Sequence, residues 1–117
     1  MADMAARVAL NYLLDFYGPL LTPHRQEVMR LYCEEDLSQQ EIADQLSITR
    51  QGVFDAIAKS RRQLAEYEDQ LGLVARYREQ SAAAQTCLEA LNRLHPIPGD
   101  METLDAAKQA LKRIIID

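Results

Sequence analysis

Apolar residues in this chain recur at spacings of three and four, and alternating β-branched runs do not occur. That periodicity predicts an all-α protein, because side chains three and four positions apart share one face of a helix. Ala5, Ala9, Tyr12, Leu13, Phe16 and Leu20 trace the first stripe, and Gly18-Pro19 ends it, since proline disfavours helix in the residue before it. Thr22-Pro23 opens a second helix with a capping hydroxyl followed by proline at the first helical position, and Val28, Leu31 and Tyr32 give that helix its inward face.

The segment SQQEIADQLSITRQGVFDAI, Ser38 to Ile57, carries the most information. Ser38-x-x-Glu41 is a capping box, in which the serine oxygen accepts from the amide three residues on while the glutamate reaches back to the serine amide. Ile42, Ala43 and Leu46 then face inward, Ser47-Ile48-Thr49 makes a turn, and Thr49 caps the next helix. Two short helices, apolar residues at Ile42, Leu46, Ile48, Val53 and Ile57, and the small Ala43 where they touch make a helix-turn-helix; a plain helical hairpin is the alternative. The first turn position often takes positive φ, so Ser47 stands there at a steric cost that glycine would avoid.

Beyond Thr49 an inward seam runs through Val53, Ile57, Ser60, Leu64, Tyr67, Leu71 and Val74 in a heptad pattern. After Val74 that register would place Arg78, Ser81 and Gln85 inside, so the seam shifts to Leu73, Tyr77, Ala84, Leu88 and Leu91. Either Gly72 breaks the helix or one long helix changes partner there. HPIPGD, residues 95 to 100, is the clearest loop, and Asp100 is placed to cap a last helix with the stripe Leu104, Ala107, Leu111, Ile114 and Ile115. The expected division is a helix-turn-helix domain over residues 1–72 and a helical extension over residues 73–117, whose terminal stripe needs a surface and points to a homodimer.

The functional candidates follow from rotation by about 100° per residue. With Val53 inward, Gln51, Asp55, Ala58, Lys59 and Arg62 point away from the core. Gln51 can read adenine, and Lys59 or Arg62 can hold phosphate or guanine. Asp55, in their midst, repels phosphate unless it accepts from a cytosine amino group. Phe54 lies near the edge, serving either the core or a stack on a base or partner side chain. The bland alternative is a solvated face of mixed charge.

Charge tempers the nucleic-acid reading. The formal net charge is −5, with 18 acidic residues against 13 basic ones, which argues against broad non-specific binding to a phosphate backbone. The basic residues nonetheless cluster, with Arg50, Lys59, Arg61 and Arg62 opposed only by Asp55 between positions 50 and 62. Glu34-Glu35-Asp36 is an acidic run at a helix C-terminus, either simply solvated or facing a basic partner.

Other classes have little support. His24 and His95 are far apart beside prolines, the four glycines form no phosphate-cradling loop, and no cofactor or metal is implied. Cys33 and Cys87 are isolated and are expected to be small buried side chains in a reducing compartment. The N-terminus has no signal-peptide pattern and no apolar run reaches membrane-spanning length, so a cytoplasmic, non-enzymatic protein without membrane insertion is expected.

Residues 16 to 73 resemble the YlxM family of small bacterial helix-turn-helix proteins, through the FY-x-x-LLT opening, the LS-x-x-EIA-x-x-L core and the R-Q-x-V-[FY]-D-x-I segment. The resemblance implies a fold similar to the sigma-factor region 4 domain that reads promoter −35 elements. It also implies a regulatory role linked to the signal recognition particle pathway, with components of that particle, DNA or RNA as partners. By position, nucleic-acid contacts fall on Thr49, Arg50, Gln51 and Asp55, with Lys59, Arg61 and Arg62 on the backbone. Ser47 departs from the usual glycine, and Asp55 belongs to the matched segment. The competing expectation is an adaptor that binds protein or RNA of the particle without sequence-specific DNA binding.

Overall fold

The computed structural model describes residues 2–115, with side chains described from residue 6 onward. Among the described residues six α-helices follow one another: α1 (Ala2–Tyr17), α2 (Pro23–Cys33), α3 (Gln39–Leu46), α4 (Arg50–Leu71), α5 (Leu73–Asn92) and α6 (Met101–Lys112). Short 3₁₀ turns at Gly18–Leu20 and Pro98–Asp100 precede α2 and α6, and no strand occurs among the described residues. The chain is all-α. Its contacts divide it into two compact units, residues 1–74 and 75–117.

In the first unit α4 packs against α1, α2 and α3. Its buried face is Val53, Ala56, Ile57, Ser60 and Leu64, which meets Val28, Met29 and Leu31 of α2 and Ile42 and Ala43 of α3 in one apolar cluster. Spacing of three and four places these five on one side of a straight helix. Local chemistry sets the boundaries. Thr22 accepts from the Arg25 amide at 3.3 Å with Pro23 at the first helical position. Ser38 Oγ accepts from the Glu41 amide at 3.1 Å while Glu41 Oε1 accepts from the Ser38 amide at 3.0 Å, which completes the capping box.

The hydrogen bond from the Ser38 amide, followed by the interaction with the Ser38 side chain, holds the Glu41 carboxyl below the usual carboxylate range. Stability from this cap is therefore complete above the ordinary glutamate pKa and is lost as pH falls through the lowered one.

The first stripe is rotated from its expected place. Leu10 and Tyr17 are buried, Tyr12, Leu13 and Phe16 are half-buried, and Ala9 and Leu20 are exposed; Ala5 falls outside the described side chains. Tyr17 is drawn in by a polar partnership that periodicity does not show. Its hydroxyl donates to Glu68 Oε1 at 2.6 Å and accepts from the Leu73 amide at 3.1 Å, and the Val74 amide donates to the same glutamate oxygen at 3.0 Å. Burial, followed by the bond to Glu68, pushes the Tyr17 phenol up, so it stays a donor across the ordinary pH range.

Gly72 resolves the alternative left open by the seam: it sits at φ 60° and breaks the helix between α4 and α5. Left-handed backbone there suits glycine, and the break turns Leu71 out to 51% exposure, contrary to its place in the expected seam. Leu73 is likewise exposed rather than inward, whereas Ser81, expected to be excluded, is buried.

The second unit is different in kind. Along α5, Ala84 and Leu88 are buried and Leu91 is half-buried, and a groove lined by Gln80, Ala83, Ala84, Cys87, Leu111 and Ile114 runs between α5 and α6. No residue of α6 is buried. Asp100 occupies the position before α6 but makes no side-chain capping bond, because a 3₁₀ turn leads into the helix and holds Asp100 at φ −102°, ψ −6° instead of in extended backbone. Cys87 is exposed, also against expectation, while Cys33 is half-buried and burial pushes its thiol up.

Candidate nucleic-acid interface

The turn between α3 and α4 is built from Ser47, Ile48 and Thr49. Ser47 takes left-handed backbone at φ 56°, ψ 43°, and its amide donates to the Ala43 carbonyl. The positive φ expected for this position is present without the glycine. Ile48 closes the turn by donating its amide to the Ala43 carbonyl at 3.0 Å. Thr49 then starts α4, its hydroxyl accepting from the Gly52 amide at 2.9 Å. That bond spends Thr49 Oγ1 as an acceptor and leaves its proton for another partner.

With Val53, Ile57, Ser60 and Leu64 sequestered, Arg50, Gln51, Asp55, Lys59 and Arg62 are all exposed, and Ala58 is half-covered. The structure thus leaves all seven sequence candidates exposed, six of them on the helix that follows the turn and Thr49 at its start. Arg50, Lys59 and Arg62 enter no ion pair among the described residues. Their guanidinium and ammonium groups keep all their donors.

Two side chains on this surface are already engaged. Gln51 Nε2 donates to Asp55 Oδ1 at 3.0 Å, one helical turn away, and Gln40 and Asp44 on α3 repeat the pattern at 3.0 Å. Asp55 is therefore oriented by an amide that leaves its negative charge in place. One of the two Gln51 amide hydrogens is committed.

Arg61 behaves differently from the other cations. Its Nη2 donates to the Tyr32 hydroxyl at 3.3 Å and its guanidinium carbon lies 5.8 Å from the centroid of that ring. Arg7 lies at the same distance from the Tyr32 ring and donates to Asp36 at 2.7 Å. The structure thus groups Arg61 with α2 and α1, apart from the candidates around Asp55. Sequence spacing carried no sign of this, because the pair joins residues 29 positions apart.

Periodicity also left Phe54 undecided, and the structure places it outside the core with 52% of its surface exposed. No group of His, Cys, Asp and Glu among the described residues is placed to hold a metal ion. No helix among them is long and apolar enough to cross a membrane.

A short helix α3, a left-handed turn at Ser47 and a longer helix α4 with an open outer face define a helix-turn-helix protein. Comparison with known proteins agrees: the model of the UPF0122 family, described as "Putative helix-turn-helix protein, YlxM / p13 like", matches residues 4–103. The chain belongs to that family. It is 38% identical over 108 residues to the UPF0122 protein of Desulforamulus reducens, covering 91% of this chain and 90% of the relative. It is 43% identical over 105 residues to the UPF0122 protein STH1464 of Symbiobacterium thermophilum, covering 90% and 89%. A UPF0122 protein of Exiguobacterium sibiricum is 38% identical over 103 residues, covering 88% and 92%.

Proposed function

We propose that this chain is a non-enzymatic regulatory helix-turn-helix protein of the cytoplasm whose α4 offers its outward face to nucleic acid. The observation that carries this reading is the exposure of Arg50, Gln51, Lys59 and Arg62 on the helix after the turn, while Val53, Ile57 and Leu64 are held inside. The three cations meet phosphate and Gln51 meets a base edge, with Thr49 at the approach to the helix. Asp55 selects rather than attracts, since a carboxylate tolerates only partners that donate. The resemblance to the YlxM family supports a link between this activity and the signal recognition particle pathway.

Residues 73–117 serve as the oligomerising part. Leu104, Leu111 and Ile115 are only half-covered, and Met101 and Ile114 are 52% and 42% exposed, which leaves a terminal apolar stripe for a second copy. Pairing doubles a small number of basic contacts and presents two recognition helices together. Light scattering on the intact chain checks this: a homodimer at micromolar concentration is expected, and a monomer under the same conditions removes the dimer from the account.

One observation favours a second reading, an adaptor that binds protein or RNA of the signal recognition particle and reads no DNA sequence. Gln51 is bonded to Asp55, so the amide best suited to adenine is partly spent. Sequencing the nucleic acid and identifying the proteins that co-purify with the native chain separates the two. Enriched DNA fragments support the regulator. Recovery of the particle's proteins with no enriched DNA supports the adaptor and ends the DNA-reading proposal.

A further inference from the structure

We propose that Phe54 and Asp55 together form a site for an unpaired guanine base, so that the strand bound by α4 is single-stranded at that point. This deepens the nucleic-acid reading of α4 and rests on it.

Three observations converge. Phe54 shows 52% of its surface to solvent, about 100° round α4 from the inward Val53 and so at the edge of the outward face. Asp55, its chain neighbour, is exposed and held by the Gln51 amide at 3.0 Å through one oxygen. Arg50, Lys59 and Arg62 are exposed on the same helix.

A carboxylate only accepts, with two oxygens side by side. The Watson–Crick edge of guanine carries the matching pair, the N1–H and the N2 amino group. In a duplex that edge is consumed by pairing, and the major groove shows only the O6 and N7 acceptors of guanine, which a carboxylate repels. Asp55 thus fits guanine only where the base is unpaired. The Gln51 bond does not block the site, because the bonded oxygen keeps a second lone pair and the other oxygen is uncommitted.

Phe54 supplies what a lone carboxylate lacks. Every base has a π-face, and an exposed ring beside the acceptor gives the unstacked base a surface to lie on. The ring contributes affinity without regard to sequence and Asp55 contributes the choice of base. The three cations hold the sugar–phosphate chain on either side. A duplex alternative exists, with Phe54 against a thymine methyl and Asp55 accepting from a cytosine amino group.

The test is fluorescence anisotropy of the full chain with short labelled pyrimidine strands carrying one central guanine, inosine or adenine. Each is made as RNA and as DNA, beside the matching DNA duplex. The guanine strand is expected to bind tightest, with inosine, which lacks the N2 amino group, several-fold weaker. Phe54→Ala lowers affinity for all three strands by about tenfold, the loss of one stacked base, and Phe54→Tyr restores it. Asp55→Asn abolishes the preference for guanine over adenine.

Equal binding of guanine and adenine strands, no effect of Phe54→Ala, or tighter binding of the duplex overturns the proposal while leaving α4 a nucleic-acid surface. Binding of neither strand nor duplex at low salt overturns that reading as well. All three variants alter exposed positions, and an unchanged helical signal confirms that they fold.

Discussion

The two units of this chain are built from similar helices and differ in what those helices cover. In residues 1–74, α4 sets five buried side chains against α1, α2 and α3, and Val28, Met29, Ile42, Val53 and Leu64 are fully sequestered. In residues 75–117, α6 has no fully buried residue, although it carries Leu104 and Leu111, which are only half-covered. Helical stability in proteins comes mostly from packing an apolar face. The first unit thus contains the partner for its own apolar face, and the proposed homodimer gives the second unit a partner from another copy. Under these proposals the first half holds the recognition helix against its own core and the second half supplies the pairing surface.

The largest difference between the two halves is expected from matched truncations. Leu64→Ala opens a cavity among close-packed side chains and costs about 3 kcal/mol, whereas Leu111→Ala in dilute monomer costs less than about 1 kcal/mol, both read from urea unfolding. At concentrations where the chain pairs, the Leu111 penalty grows. Equal costs at every concentration break the comparison.

Ser60 tests the first unit from the opposite direction. It lies fully buried on the inward face of α4, and its hydroxyl has no hydrogen-bond partner among the described residues. Ser60→Ala therefore stabilises the fold by about 1 kcal/mol, the cost of an unsatisfied buried hydroxyl. A loss of stability shows instead that the hydroxyl is used.

A smaller gain, about 0.5 to 1 kcal/mol, is expected from Ser47→Gly, which removes the left-handed strain at φ 56°. The same substitution leaves α4 in place, so affinity for nucleic acid stays within about twofold by the same limit on the perturbation. The smallest effect concerns acid. Glu41→Gln removes a carboxyl held low by its capping bonds, so the variant's stability declines less than the parent's as pH falls below the usual carboxylate range. Paired urea titrations across that interval measure the change in slope.

Much of the fold was legible in local chemistry. Thr22-Pro23, Ser38-x-x-Glu41 and Thr49 each predict a helix start, and each forms the bond that its side chain implies. These signals work because both partners lie within three residues. Tyr17 and Leu71 show where locality ends. Tyr17 is inside because Glu68 and the Leu73 amide meet its hydroxyl, partners more than 50 residues away. Leu71 is outside because Gly72 ends the helix before the seam can use it.

The candidate surface divides in the same way. Rotation by 100° per residue places Gln51, Asp55, Lys59 and Arg62 outward without any knowledge of the rest of the chain. It says nothing of Arg61, whose guanidinium meets Tyr32, or of Phe54, whose exposure depends on what the neighbouring helices leave uncovered. Both were undecidable from spacing because each depends on a tertiary neighbour.

The central claim, that the outward face of α4 meets a phosphate backbone, is tested most directly by measuring affinity for the co-purifying nucleic acid as a function of salt. A steep linear fall of log affinity with log salt is predicted for the parent chain, and Arg62→Ala should reduce that slope by about one phosphate contact. A flat salt dependence, or a slope that Arg62→Ala leaves unchanged, contradicts it.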